Sequence, residues 1–262
     1  MSSARFPILV VGSLLLVVAT FSPAHAVAQG PAIFIPRSET TAPTIDGVWT
    51  TSDEWSKASE TLLNYTDGTR LIIRATHDAD AMYMLLEMPD DYVVDGRAGI
   101  CFDSLNDGGP YLKADDYCFV QADTVKEFHG DSKSTLMYAA ALNSYVTAAR
   151  GLSDHNSPYK SDKDHVTYEF KVPIEYLGSD AKEYGFYVVF ETRGQTTNYT
   201  YYYSWPDLNS ESAQRAASPR DWGQVVISSE VNVPEFPLPV VAAIFGVIGI
   251  VAILTRIPPS KK

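Results

Sequence analysis

The segment HDADAMYMLLEMPDD at residues 77–91 is followed closely by AGICFDSLNDGG at 98–109 and YLKADDYCF at 111–119. Each segment contains a short apolar run that predicts a β-strand, and two or more Asp or Asn residues lie in the predicted turns beside it. Oxygen ligands that converge from such loops are what a hard cation such as Ca²⁺ requires. These segments therefore predict a β-protein whose acidic loops bind calcium.

The rest of the chain continues the strand pattern. Runs of β-branched and aromatic residues predict further strands or extend the first ones, at 70–76, 82–88, 98–102, 165–172, 185–191 and 222–227. Residues 135–150 favour two strands with a turn, although their helix propensity leaves a helix open, and 173–177 predict one short helical turn. Many short strands joined by polar loops predict an all-β fold, an antiparallel, jelly-roll-like β-sandwich.

Both ends of the chain predict export and membrane attachment. Residues 1–28 have Arg5 before an uncharged apolar run and small-residue cleavage sites, as in a signal peptide, although an uncleaved anchor is the alternative. Residues 238–262 predict one C-terminal transmembrane helix with a basic cytoplasmic tail. The domain at 29–230 is therefore expected outside the cell, anchored at the cell surface.

A proline-rich linker at 231–237 precedes the predicted helix and contains Pro234-Glu235-Phe236. The tripeptide, the apolar helix and the basic tail together resemble the PEF-type C-terminal sorting signal of archaeal surface proteins. That resemblance implies a sortase-like processing enzyme as a partner. A proline-rich stalk before an ordinary anchor is the alternative.

The chain carries 32 acidic and 20 basic residues, a formal charge of −12. All the acidic residues lie between the two terminal segments, so the exported domain is more acidic than the whole chain. Such a surface repels nucleic acid and suits divalent cations, and it equally suits solubility or a saline habitat. We expect no nucleic acid among the partners.

The two cysteines, Cys101 and Cys118, lie in candidate neighbouring strands. An even pair in an exported chain predicts a disulfide. Closing a loop of this size contributes about 3 kcal/mol in the chain-entropy model.

Several short motifs occur in order over residues 43–228. They are Ile45-Asp46-Gly47, Glu54-Trp55, Asp78-x-Asp80-x-x-Tyr83, Asp90-Asp91, the run from Phe102-Asp103 through Asn106-Asp107 to Asp115-Asp116-Tyr117, and Pro219-Arg220-Asp221-Trp222-Gly223. Their order resembles that of the family 9 carbohydrate-binding modules and their DOMON-type relatives. The resemblance implies a jelly-roll sandwich, structural calcium and a sugar held by aromatic residues.

The acids of these motifs are the candidate calcium ligands. The first candidates are Asp103, Asn106, Asp107, Asp115 and Asp116, and the next are Asp78, Asp80, Asp90 and Asp91. The alternative is that these residues only cap turns, which Asp and Asn favour anyway.

Sugar binding rests on aromatic side chains, because a pyranose ring presents C–H groups to a π face. Trp205, where a strand gives way to a loop, is the first candidate, followed by Tyr203, Tyr159 and Tyr111. The three other tryptophans, Trp49, Trp55 and Trp222, are expected in the core. The modules of the family that bind sugar ends clamp them between two Trp, and this chain has no evident second partner for Trp205.

No sequence motif indicates an enzyme. The chain has no Ser-His-Asp signature or phosphate loop, and His77, His129, His155 and His165 are scattered, as is typical of surface or turn residues. A b-type haem held by Met82, Met84 or Met88 with His77 is a rival interpretation, although the shared strand parity of the three Met is typical of a core. A structural envelope protein without ligand is a further alternative. We expect a surface-anchored, calcium-stabilised, non-catalytic module that binds carbohydrate.

Overall fold

The computed structural model describes residues 30–38, 41–134, 137–141, 145–153, 156–159, 163–178, 182–193, 200–208 and 218–231. The regular secondary structure of these residues is almost entirely β-strand, which confirms the all-β prediction. The strands are β1 Ala32–Arg37, β2 Ser59–Asn64, β3 Arg70–His77, β4 Ala81–Met88, β5 Arg97–Asp103, β6 Asp116–Gln121, β7 Val125–Gly130, β8 Met137–Ala140, β9 Thr147–Ser153, β10 His165–Pro173, β11 Glu183–Arg193, β12 Thr200–Trp205 and β13 Gly223–Val231.

Two short helical segments accompany the strands: helix α1, Ile174–Leu177, as predicted, and a 3-10 turn at Pro219–Asp221. The predicted signal peptide, sorting motif and transmembrane helix lie outside the described residues. Within the described ranges, no helix is long and apolar enough to cross a membrane.

The strands form two halves that β1 joins. One half has the order β8-β7-β6-β5-β11-β13 with β12 beside β11, and the other has β3-β4-β10-β9 with β2 beside β3. Strand β1 is parallel to β13, from Ala32 opposite Gln224, and parallel to β3, where Arg37 lies opposite His77. The other strand pairs among the described residues are antiparallel. The prediction of an antiparallel sandwich is therefore wrong for β1, which is parallel to both of its neighbours.

The core lies between the two halves. Tyr168 of β10 and Phe190 of β11 belong to strands that are not paired, yet their rings meet edge-to-face with centroids 5.1 Å apart. Met82, Met84 and Met88 point into this core, as their shared parity predicts. The two halves therefore pack face to face as a sandwich.

A second, smaller core lies on the outer face of β4 and β10, beneath the segment that precedes β2. Trp49 and Trp55 pack there against Tyr83 and Leu85 of β4. Residues 46–48, which include Asp46 and Gly47 of the first motif, form a bend. Trp49, Trp55 and Trp222 are all buried, as predicted.

Residues 137–140 and 147–153 form strands, as favoured over a helix. However, β8 pairs with β7 and β9 pairs with β10, so these two strands lie in opposite halves. Two histidine predictions are wrong. His77 and His165 are buried rather than at the surface, because both reside in central strands and find hydrogen-bond partners there.

Candidate functional site

The acids at the end of the β5–β6 hairpin form the first candidate site, which we call the aspartate loop (residues 103–116). Asp103 and Asp116 are opposite each other in the strand register, two positions from the paired Cys101 and Cys118. The predicted disulfide joins these two cysteines. The hairpin register therefore fixes where the loop begins and ends.

Three carboxylates converge in this loop. One oxygen each of Asp103, Asp107 and Asp115 lies within 4.8 Å of the other two. The Asp103 carboxylate is held in place, because its Oδ2 accepts a hydrogen bond of 2.8 Å from the backbone N–H of Gly108 and its Oδ1 accepts one of 3.3 Å from that of Asp107. The Lys113 ammonium, 2.5 Å from an Asp107 oxygen, supplies a compensating positive charge.

Asp116 adds a fourth, deeply buried carboxylate. It is 1% exposed, and one of its oxygens accepts a hydrogen bond from the backbone N–H of Lys113. Its Oδ1 and the Oδ2 of Asp115 are buried and have no hydrogen-bond partner among the described residues. Burial and the nearby charges of Asp103 and Asp115 raise the pKa of Asp116 to about 7. Burial also raises the pKa of Asp103.

The remaining predicted ligands are not part of this three-carboxylate cluster. Asn106 lies in the same loop at φ 49°. Asp78 caps the β3–β4 turn through the N–H groups of Asp80 and Ala81, which agrees with the turn-capping alternative. Asp90 pairs with Arg70, and Asp91 accepts hydrogen bonds from Thr192 and Val93. Asp80 is exposed.

A second candidate site, which we call the tyrosine cleft, lies at one end of the sandwich. It is a cavity of about 230 Å³ between the loop after β4 and the ends of β11 and β12. Its described lining comprises Thr69, Met88, Asp90, Asp91, Tyr92, Thr192, Arg193, Tyr201 and Tyr203. It thus brings three tyrosine rings together with two carboxylates and a guanidinium.

The polar groups of the cleft are held by neighbours. The Tyr203 hydroxyl donates to Asp67 Oδ2 at 2.9 Å and accepts from Thr69 Oγ1 at 3.1 Å. Arg70 donates two hydrogen bonds to Asp90, one from Nε at 3.0 Å and one from Nη2 at 2.8 Å. Burial raises the pKa of Asp91. The cleft is therefore preformed, with its acids in fixed positions.

Of the four predicted sugar-binding residues, only Tyr203 lies in the cleft. Trp205 is 4% exposed, and its ring packs against Phe186 at a centroid distance of 5.7 Å, so it is a core residue and not an exposed platform. The Tyr159 hydroxyl donates to Glu60 beside Arg74, and Tyr111 is half-exposed on the aspartate loop. The four residues therefore do not form one site.

Tyr92, Tyr201 and Arg193 are cleft residues that sequence reasoning missed. Tyr92 directly follows the Asp90-Asp91 motif, and Tyr201 begins a run of three tyrosines. Both features are visible in the sequence, but only the fold shows that the two tyrosines line the same cavity.

The residues of the rival haem interpretation have other roles in the fold. Met82, Met84 and Met88 are buried in the main core. The two ring nitrogens of His77 each lie 2.7 Å from a carbonyl oxygen, one of Asp78 and one of Ser228.

Comparison with known proteins yields structural similarity only. No protein-family model and no curated protein matches the chain. A family 9 carbohydrate-binding module from Caldicellulosiruptor kristjanssonii, solved with glucose, is 15% identical with a TM-score of 0.51, covering 77% of this chain and 100% of the module. Its complex with cellotriose gives 16% identity, a TM-score of 0.51 and coverage of 79% and 100%.

A protein from Bacteroides uniformis, described as a candidate carbohydrate-binding protein, is also similar. It is 12% identical with a TM-score of 0.51, covering 76% of this chain and 100% of that one. At these identities the similarity shows a shared fold, and that fold occurs in carbohydrate-binding modules.

Proposed function

We propose that this domain is a non-catalytic carbohydrate-binding module that holds a neutral glycan in the tyrosine cleft. The observation that carries the proposal is the meeting of Tyr92, Tyr201 and Tyr203 with Asp90, Asp91 and Arg193 in one preformed cavity. The fold supports it, because two of the similar structures contain glucose or cellotriose.

The lining of the cleft matches the chemistry of a sugar. Tyrosine rings offer π faces to the C–H groups of a pyranose. Carboxylates accept hydrogen bonds from sugar hydroxyls, whereas a guanidinium donates to ring and hydroxyl oxygens. At about 230 Å³ the cavity is smaller than a typical ligand pocket of about 300–1,000 Å³. We therefore assign it to the end of a glycan chain.

The decisive experiment is binding of the purified domain to an array of neutral and anionic glycans, followed by titration with the best neutral oligosaccharide. Tyr201→Ala should weaken binding at least tenfold, because loss of an aromatic platform costs about 1.4 kcal/mol or more. The matched control is Tyr138→Ala, an exposed tyrosine of β8 outside the cleft, which should bind as the wild type does. Absence of binding to every glycan contradicts the proposal.

Calcium in the aspartate loop is the second part of the proposal. Asp103, Asp107 and Asp115 would supply the first oxygens, and Asp116 the buried oxygen that has no partner among the described residues. Ca²⁺ takes six to eight oxygens, so backbone carbonyls and water would complete the shell. A bound cation would also offset the repulsion between these carboxylates. Its function would be to brace the hairpin rather than to catalyse a reaction.

The location of the domain is proposed from the sequence alone. Residues 1–28 would direct export, residues 238–255 would anchor the chain at the cell surface, and a sortase-like enzyme would act near Pro234-Glu235-Phe236. Mass spectrometry of the protein from its native membrane tests this. A mature chain that still contains residues 1–28 contradicts export by cleavage, and one that retains residues 238–262 contradicts processing of the tail.

A further inference from the structure

A second and larger concavity lies at the opposite end of β4 from the tyrosine cleft. We call it the lysine groove; it measures about 970 Å³. Its described lining comprises Ala79, Asp80, Ala81, Tyr145, Lys171, Pro173, Ile174, Glu175 and Tyr176. The β3–β4 turn, the end of β10, helix α1 and the residue Tyr145 before β9 therefore surround it.

The groove combines aromatic and charged groups that the proposed function does not use. Tyr145 is 74% exposed, the highest value among the large exposed hydrophobic residues. The ring of Tyr176 is held in place, 5.3 Å from the ring of Tyr117, while its hydroxyl donates to Glu127. Two rings, one exposed at the rim and one fixed at the wall, thus border the same space.

The charged groups of the groove are of both signs. The Lys171 ammonium lies 5.9 Å from the centroid of the Tyr83 ring, and the carboxylates of Asp80 and Glu175 are on exposed residues. An ammonium donates hydrogen bonds and carboxylates accept them, so the groove can satisfy hydroxyl groups as donors and as acceptors. The two acids against one lysine disfavour an anionic ligand.

We infer that the lysine groove is a second glycan-binding site, which takes an internal segment of a neutral polysaccharide and makes the domain bivalent. The inference rests on the proposed function, because it assigns the same ligand class to a second place. The groove has about four times the volume of the cleft, so it accommodates several sugar residues rather than one chain end. An exposed aromatic ring beside a second, partly buried ring and hydrogen-bonding groups is the chemistry that a sugar chain requires.

The distance between the sites follows from β4. Ala81 lines the groove and Met88 lines the cleft, at the two ends of one eight-residue strand. At roughly 3.3 Å per residue, the sites lie about 23 Å apart. One polysaccharide, or two neighbouring chains of a glycan layer, can therefore engage both sites, and such linkage raises apparent affinity by about 10²–10⁴.

The test uses three variants of the domain: Tyr201→Ala in the cleft, Tyr145→Ala in the groove, and Tyr138→Ala as an exposed tyrosine outside both. Each is run by electrophoresis through gels that contain soluble neutral polysaccharides. Each is then titrated with a six-residue oligosaccharide cut from the polysaccharide that retards the wild type most. Circular dichroism confirms that the variants fold, which the exposure of all three side chains favours.

We expect two binding sites per wild-type chain, one in each of the Tyr201→Ala and Tyr145→Ala variants, and a loss of gel retardation of at least tenfold in both. If Tyr145→Ala behaves as Tyr138→Ala while Tyr201→Ala abolishes binding, the groove is not a site and the proposed function stands. If Tyr145→Ala alone abolishes binding, the groove binds glycan and the cleft assignment falls. A wild type that binds no glycan overturns both.

Discussion

Asp103 and Asp116 face each other across the β5–β6 pair, and both are buried beside further acids of the same loop. Bringing carboxylates together away from water favours their protonated form. The pKa of Asp116 is raised to about 7, whereas an Asp in an unfolded chain titrates near about 3.9. The same residue that would bind a cation therefore makes the metal-free fold sensitive to pH.

The first prediction concerns stability against pH. Between about pH 4 and 7 the folded protein binds more protons than the unfolded chain, because the folded pKa of Asp116 is the higher one. Stability of the metal-free protein should therefore fall as pH rises through this window, by up to about 1.4 kcal/mol per unit from this group. Saturating Ca²⁺ should remove this loss and raise the thermal transition at pH 7.5 by several degrees. Urea unfolding at several pH values, with and without chelator, measures both effects.

Asp116→Asn tests the assignment to this residue. The variant should lose the part of the pH dependence that Asp116 causes and most of the calcium response. Glu169, whose pKa burial raises to about 8, contributes a slope of the same sign that the variant leaves unchanged. Asp164→Asn, at an exposed position, is the matched control and should behave as the wild type does. An equal calcium shift in Asp116→Asn and the wild type rules out the proposed site.

The residues of the two candidate sites differ in how far the sequence predicts them. Asp103, Asp107 and Asp115 are close along the chain, so a single hairpin brings them together and the sequence indicates the cluster. Trp205 is different, because its burial depends on contacts with Phe186 and Gly223. The Trp205 ring lies so close to Gly223 that a Cβ on this glycine would be 2.4 Å from a ring carbon. Those contacts come from β11 and β13, the strands before and after β12, and no local pattern shows how these strands pack around its end. A strand end next to Pro206 therefore looks like a surface position when it is not.

Among the elements, the bend at residues 46–48 shows how one glycine attaches the segment that precedes β2 to the sandwich. The backbone N–H groups of Asp46 and Gly47 donate to Glu169 of β10, at 2.9 and 2.8 Å. Trp55 donates to the other oxygen of the same carboxylate at 3.0 Å. Gly47 adopts φ +91°, and a Cβ there would lie 2.4 Å from the carbonyl carbon of Arg150. The motif thus requires glycine both for its conformation and for its close approach to β9.

The second prediction compares two glycines at the same φ. Gly68 has φ +89° but nothing within 4 Å of a built Cβ, so Gly68→Ala should cost only the left-handed backbone strain of about 1–2 kcal/mol. Gly47→Ala adds a clash with the backbone of Arg150 and should cost about 3 kcal/mol or more. Chemical denaturation of both variants gives the comparison. Equal losses would show that the approach to Arg150 is not tight.

Strands that pair with their neighbours in sequence are the ones that the pattern predicts well. The β3–β4 and β5–β6 pairs are antiparallel neighbours, and their apolar runs and acidic turns mark them directly. The segment that precedes β2 and strand β1 are harder to predict. Strand β1 pairs with β13, nearly two hundred residues further along the chain, and does so in parallel, which no local pattern encodes.

At the scale of the whole molecule, β1 is the strand that makes the two halves one hydrogen-bonded unit. It pairs with β13 over residues 32–35 and again at Arg37, and Arg37 also pairs with His77 of β3. Ile33 and Ile35 point into the main core, while Phe34 points outward and is 63% exposed. The buried face of this short strand should therefore contribute far more to the free energy of unfolding than its exposed face.

The last prediction uses this contrast. Ile35→Ala removes a fully buried side chain where the halves join, so it should lower the free energy of unfolding by about 2–5 kcal/mol. Phe34→Ala, one position away, should change it by less than about 0.5 kcal/mol. Urea unfolding is followed both by tryptophan fluorescence and by far-ultraviolet circular dichroism, and the two curves should coincide, because β1 couples the halves into one cooperative transition. Separate transitions would show that the halves unfold independently, and equal losses in the two variants would contradict the contrast between the two faces of β1.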